Sequence, residues 1–544
     1  MRRFTALLLV LAGLLPGATA QSNDADWVTR LVHSARVIVD LPAEFEPMPD
    51  SWATYGTGED EFATFFSLLQ MQGDDLATAC AYYAVNSFET AGTPEMLDDE
   101  TCFITSKYPS HPNHLLIAYP VPWKPTALLT EGDYPYLAIA GPEGVDLLRI
   151  ARSARFPDSP PAPLFVAGIL DVMQGSWFYR EDVADWPALR AEALALVDEN
   201  STLDDAYNAA RFALDRLAEI TGDNHPSLQT GPDITQEVEG RDLLAGFYIQ
   251  DDTGIVYLVF PGSPAEAAGL RTGDRVQSVN GVAPDERVHG VDQYDLVVER
   301  ENGPVTITVV PDWFDVYLPP ITRRLENVGY VETFSTFGDV DALERYVQDA
   351  HAGIKTVDGS APACGWVVDL RRNHGGVIAP ILSALLPLNS AGPIMGVVDA
   401  LGEEYVLENG YGHIMGGFLE DHWYNLDFYA GADKTAPIAI LVSRETASAG
   451  EMSAISLTKR PDAATRIFGE HTYSVTSTLN GPQLYDGGQL WLTLTVVTDR
   501  EGTLYPDGVE PDETIPVDFT RHATADDPVL NAALDWLATQ PACQ

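Results

Sequence analysis

The chain has 544 residues, 45% of them hydrophobic, with 80 Asp and Glu against 31 Lys and Arg and a formal net charge of −49. That apolar share supports buried cores and excludes a mainly disordered chain, and the length suits several domains. So acidic a surface argues against nucleic acid and anionic membranes as partners.

The chain opens on Arg2 and Arg3. A nearly wholly apolar run follows from Thr5 to Leu15, then the breakers Pro16 and Gly17 and the small residues Ala18-Thr19-Ala20. This pattern predicts a cleaved secretory signal over residues 1–20. The run is shorter than the roughly 20 apolar residues that span a bilayer. No later segment is long and apolar enough to cross a membrane, so stable membrane insertion is not expected. The expected location is periplasmic or secreted. In such an oxidising compartment the four cysteines favour pairing, with three connectivities open. Cys80 with Cys102 is preferred because the two are close in one segment, and Cys364 with Cys543 would tie the tail to the last domain. Without a CxxC or a Cys/His cluster, neither a metal site nor a cofactor is expected.

Residues 21–160 read as a separate N-terminal α+β domain without a motif, with strand-like pieces at His114–Tyr119 and Tyr136–Ala140. Pro157–Pro163 reads as a linker. Residues 164–230 turn helical, as a cap segment: Pro187–Asp198 and Asp204–Ile220 repeat Ala and Leu at three and four. Over residues 238–312 the pattern changes to short strands, Gly246–Gln250 and Ile255–Val259. A short helix, Pro264–Ala268, and the hairpin turn Asn280-Gly281 follow. From about residue 320 to 540 the pattern is α/β. Val328–Thr333, Gly365–Leu370 and Pro437–Val442 read as strands, the last two nearly continuous in apolar residues, as strands buried on both faces are. Gln489–Val497 reads as a further strand and Leu343–Ala352 as an amphipathic helix.

Three pieces carry chemistry. The first is Thr446-Ala447-Ser448-Ala449-Gly450-Glu451, directly after the strand Pro437–Val442. A small-residue turn opening a helix there exposes the Ser448 hydroxyl where α/β sheets hold ligands, and the Ala449 N–H can face a developing oxyanion. A serine N-cap would explain the same residue without chemistry. The second is Asp369-Leu370-Arg371-Arg372-Asn373-His374-Gly375-Gly376. Its glycine pair admits close approach of a carbonyl and can supply a second oxyanion donor; a tight strand-to-helix turn is the plainer explanation. The third is Asp223-Asn224-His225 after the cap helices, with an imidazole suited to general-base work or merely closing a helix.

These pieces, in this order, with Gly469-Glu470 and Gly508-Val509-Glu510-Pro511-Asp512, resemble the tail-specific (C-terminal processing) serine protease family over roughly residues 165–520. The run Pro261–Leu270 with Thr272–Val276 and Val279-Asn280-Gly281 resembles a PDZ domain. The resemblance implies a multidomain α/β protein with a crotonase-like ββα catalytic core, helical cap, PDZ domain and N-terminal α+β domain. It implies a serine peptidase acting on protein or peptide substrates. Ser448 would be the nucleophile, with Ala449, Gly375 and Gly376 as the oxyanion hole. A PDZ captures peptides by strand addition, here at a loop falling near Ala245, Gly246 and Phe247.

Many family members pair the serine with a lysine shortly after the Gly-Glu. Here that place falls near Val475, and Lys459 comes too early. The sequence is closer to the tricorn-like and nisin-resistance-like branch, which implies His225 as the base. Glu451, Asn224 and Asp499 are the supporting candidates, with Glu501 an alternative to Asp499 for orienting His225. His374 and His471 are expected to line the substrate cleft. Two other functions remain compatible with the residues: a peptide-binding scaffold that has lost its base, and an esterase acting on small esters. The oligomeric state is not legible.

Overall fold

The computed structural model describes residues 27–48, 51–56, 64–71, 76–78, 80–81, 91–98, 101–106, 113–118, 134–141, 145–231, 243–286, 291–300, 303–359, 361–410, 413–415, 429, 432–461 and 463–544. The expected signal over residues 1–20 and the first residues of the 238–312 segment lie outside this set. Among the described residues no helix is long and apolar enough to cross a membrane.

The chain divides into two compact units, residues 1–175 with 194–206, and residues 176–193 with 207–544. The first holds a hairpin, Trp27–Val32 with Val37–Pro42, and a seven-stranded sheet. All pairings of that sheet are antiparallel. The helix Leu147–Ser153 seals it by burying Leu147 and Ile150. Cys80 pairs with Cys102, their Cα atoms 6.6 Å apart.

The 164–230 segment, expected as a single cap, is shared between the units, and burial gives the reason. The helix Ala162–Ser176 buries Phe165, Val166, Ile169, Leu170 and Met173, and Arg30 of the first unit grips its Asp171 at 3.0 Å. The helix Leu203–Thr221 reaches the second unit, where the Tyr207 hydroxyl donates to Asp486 at 2.9 Å.

In the second unit, residues 243–313 form short strands and the helix Pro264–Ala267 around a core that includes Val256, Leu270, Leu296 and Val309. A second apolar cluster joins this module to the C-terminal region through Tyr257, Phe260, Leu318, Phe334 and Phe519. The region from residue 321 onward is built on a six-stranded sheet. Its order is Ile321–Leu325, Val328–Glu332, Trp366–Asp369, Ile438–Val442, Thr465–Gly469 and Glu513–Thr514. The first pair is antiparallel and the remainder parallel. Trp366–Asp369 and Ile438–Val442 are buried throughout, as their unbroken apolar runs require.

A second sheet carries Ser227–Gln229 on one edge of Gln489–Asp499, with Ser477–Asn480 and Gly392–Asp399 also paired to that strand. The residues after the cap helix are thereby threaded into the C-terminal region. Cys364 pairs with Cys543, Cα atoms 5.0 Å apart, tying the chain end to the body of this unit.

Candidate active site

The buried strand Ile438–Val442 ends in the turn Ser443–Ala447, which is stitched to the end of the neighbouring strand. The Thr446 hydroxyl donates to Leu370 O at 2.9 Å, Ser443 Oγ donates to Arg371 O at 2.7 Å, and the Ala447 N–H donates to Asn373 O at 3.0 Å. Two loops far apart in sequence are so held as one surface. Ser448 stands at the start of the helix Ala449–Ser456 with φ 50° and ψ −118°. A non-glycine residue is rarely found there, and such strain persists only when its surroundings enforce it. Here Glu451 enforces it, accepting the Ser448 N–H at 2.8 Å.

The glycine pair lies against this turn. A Cβ on Gly375 would come within 2.8 Å of Ser448 Cβ and 3.0 Å of Ala449 N; one on Gly376 would meet Thr336 O at 2.3 Å. Both residues have positive φ, 101° and 97°, so only glycine fits comfortably. The Gly375 N–H donates to Asn373 Oδ1 at 2.9 Å.

His225 follows the end of the helix Leu203–Thr221. Its backbone N–H donates to Asp223 Oδ1 at 3.2 Å, and its ring Nδ1 lies 2.6 Å from Ser477 Oγ. Burial pushes the imidazole down to about 4, so it is neutral at ordinary pH. Ser477 belongs to the segment that Glu451 organises. Glu451 Oε1 accepts from the Thr472 hydroxyl and the Ser474 N–H, and its Oε2 accepts from the Val475 N–H at 3.0 Å. The Ser477 N–H in turn donates to Val475 O at 2.9 Å. Burial raises the Glu451 carboxyl above its ordinary range, with the four hydrogen bonds opposing.

The position where a lysine was sought, Val475, is buried and bonded to Glu451. Lys459 instead lies on the surface, 4.0 Å from Glu501.

Several expectations need correction. Asp499 does not orient His225: its Oδ1 accepts from the Glu501 and Thr503 N–H groups at 2.8 and 3.1 Å, and its Oδ2 from Tyr505. It closes its own turn, as a short acceptor at a strand end does. Glu501 likewise faces Lys459. Asn224 is exposed and donates to Gly222 O, a local turn contact. His374 is half-buried beside the glycine pair. Its ring packs against Tyr248 at 5.0 Å and Tyr257 at 5.2 Å, both from the 243–313 module, and burial pushes it down to about 4. His471 is a surface residue, its ring 2.9 Å from Thr472 O and 3.6 Å from Glu510.

The segment Ala245, Gly246 and Phe247, expected to bind peptide, opens the short strand Phe247–Ile249. The Ala245 and Gly246 carbonyls are taken by the Ala265 and Phe260 N–H groups at 3.0 and 2.9 Å.

Sequence reasoning missed four partners: Ser477, Thr493 and the tyrosines Tyr248 and Tyr257. Asp223, which had been seen only as part of a motif, accepts from Trp177 Nε1 at 2.9 Å. None carries a local signature, since each acts through neighbours remote in sequence. Among the described residues, a cluster of Glu332, Asp369 and His522 is filled by guanidiniums. Arg372 bonds Glu332 at 2.7 Å, and Arg371 bonds Asp369 at 2.6 Å and Asp527 at 2.9 Å. This buried network braces the strand end that carries Asn373–Gly376.

Residues 327–515 match the model of peptidase family S41, and residues 255–311 match that of a PDZ domain. The nisin-resistance protein of Lactococcus lactis subsp. lactis is 32% identical over 178 residues, 32% of this chain and 50% of that protein. A carboxyl-terminal-processing protease of a Picosynechococcus species is 27% identical over 398 residues, 68% of this chain and 85% of that protein. The chloroplastic carboxyl-terminal-processing peptidase 2 of Arabidopsis thaliana is 25% identical over 383 residues, 64% of this chain and 66% of that protein. The chain thus spans half of the first of these relatives and more of the other two. It carries a region similar to peptidase family S41, with a PDZ module ahead of it.

Proposed function

We propose that this chain hydrolyses peptide bonds of protein or peptide substrates through an acyl-enzyme on Ser448, with His225 as general base. Ser448 Oγ attacks the scissile carbonyl while His225 Nε2 takes its proton. The imidazolium returns that proton to the leaving amine, and water, deprotonated by the same nitrogen, then releases the acid product. The oxyanion is held by the Ala449 N–H with the Gly376 N–H, because the Gly375 N–H is already donated to Asn373. Gly375 serves by letting the two strand ends approach.

The observation that carries this reading is that one carboxylate, Glu451, bonds both the Ser448 N–H and the segment whose Ser477 holds His225 Nδ1. That leaves Nε2 as the ring nitrogen available to the serine. Two paired disulfides support action in an oxidising compartment, periplasmic or extracellular. The PDZ module fits polypeptide substrates better than small esters.

Labelling with a serine-reactive fluorophosphonate tests the assignment. The native chain should label and cleave unfolded protein, Ser448→Ala should do neither, and His225→Ala should lose both by about 100-fold or more. Absence of labelling and cleavage by the native chain across pH and salt would favour a peptide-binding scaffold.

A further inference from the structure

The His225 ring is the first link in a series of buried polar groups that leads away from Ser448. Its Nδ1 is 2.6 Å from Ser477 Oγ, and Ser477 Oγ is 3.4 Å from Thr493 Oγ1. Burial raises the Asp223 carboxyl above its ordinary range, opposed by hydrogen bonding from the Trp177 and Thr493 side chains and the His225 N–H. Ser477 and Thr493 are both buried, on two paired strands in which Ser477 is registered with Val496 and Thr493 with Leu479. Asp223 also accepts from Trp177 Nε1 at 2.9 Å and from the His225 N–H at 3.2 Å.

We infer that Asp223, acting through Thr493 and Ser477, sets the tautomer of His225 and so readies Nε2 to take the Ser448 proton. The inference rests on His225 being the base. An ionised carboxylate can only accept, whereas a hydroxyl both donates and accepts. With Asp223 at the far end, Thr493 must donate to it, Ser477 must donate to Thr493, and Ser477 must therefore accept from His225. The proton then sits on Nδ1 and Nε2 carries the lone pair. Reversal of the series would have Ser477 donate to Nδ1, put the proton on Nε2 and leave nothing to receive the serine proton. No atom is transferred along the series during turnover; it biases an orientation. Two hydroxyls here occupy the place where a carboxylate contacts the imidazole directly in the Ser-His-Asp arrangement. Ser477, Thr493 and Asp223 are positioning residues in this scheme.

The test uses the full-length chain with Ser477→Ala, Ser477→Thr, Thr493→Val and Asp223→Asn, alongside His225→Ala. Ser477→Ala and Asp223→Asn should each lower kcat by about 30- to 100-fold with little change in KM, while Ser477→Thr, which keeps a hydroxyl, stays within about threefold of native. Long-range proton–nitrogen spectra of 15N-histidine-labelled protein should show Nδ1 protonated in the native chain and a shift toward Nε2 in Thr493→Val and Asp223→Asn. This readout does not depend on activity and does not move through a fold defect alone. Native kcat and an unchanged tautomer in Ser477→Ala, Thr493→Val and Asp223→Asn, with His225→Ala inactive, overturns the inference and leaves the base in place. Full activity in His225→Ala removes the base assignment itself.

Discussion

Glu451 Oε2 accepts the Ser448 N–H at 2.8 Å and the Val475 N–H at 3.0 Å. One carboxylate oxygen thus spans the turn that carries Ser448 and the segment leading to Ser477, which contacts His225. A buried acceptor with four donors is costly to alter, because every donor left unpaired keeps its desolvation penalty. Glu451→Gln turns an NH2 toward two of those donors. It should lower stability by about 1–3 kcal/mol and kcat by at least tenfold, read by denaturant unfolding and peptide turnover. Native stability in this variant would contradict the role given to the carboxylate.

Ser448 holds φ at 50°. Backbone strain of this kind costs of order 1–3 kcal/mol and is relieved by glycine. Both Ser448→Gly and Ser448→Ala should be inactive, yet Ser448→Gly should be the more stable by about 1 kcal/mol. Equal melting temperatures would mean that the turn is unstrained.

Gly376→Ala drives a methyl to within 2.3 Å of Thr336 O at a φ of 97°. The loop must shift, and with it the N–H aimed at the oxyanion. Turnover should fall by about 100-fold or more, with fluorophosphonate labelling reduced in parallel. Retained labelling at native rate would remove Gly376 from the oxyanion hole.

Burial lowers His225 from 6.5 to about 4. The imidazole therefore stays neutral through mildly acidic solution, and the acid limb of kcat/KM should fall well below pH 6.5. An acid limb near 6.5 would show a base that is solvated and unlike the one described.

His374 is lowered to about 4 by burial between the two tyrosines. Its unfolded form binds the proton first, so the contribution of the neutral buried ring is complete above about pH 6.5 and is lost as pH falls toward 4. His374→Phe keeps the ring packing and removes that proton. Its stability between pH 6.5 and 4 should fall less steeply than native, by up to about 1.4 kcal/mol per pH unit. Parallel stability curves for the two proteins would place His374 in water.

Much of the architecture was readable in one dimension. The runs Gly365–Leu370 and Pro437–Val442 announced strands covered on both faces, and they stand as adjacent parallel strands of one sheet. Ser448, Gly375 and Gly376 were legible because their chemistry needs a small-residue turn at a strand end, which is a local property. The PDZ module was legible through its turn residues, and the pairing of Cys80 with Cys102 through separation. His225 was recognised only through the family motif around it, because an isolated histidine after a helix has no distinguishing local pattern.

The rest was decided by contacts across long separations. Ser477 sits 252 positions from His225, and an ordinary serine in a strand announces nothing. Asp499 looked available as an orienting acid until folding turned it on its own loop. The packing of His374 against Tyr248 and Tyr257, more than a hundred positions away, is likewise a tertiary contact. Sequence by itself determined which segments become strands and turns, because backbone sterics and apolar periodicity act over a few residues. Only the tertiary structure decided which side chains serve as partners, because a hydrogen bond is set by distance in space and the sheets bring together groups that the chain keeps hundreds of residues apart.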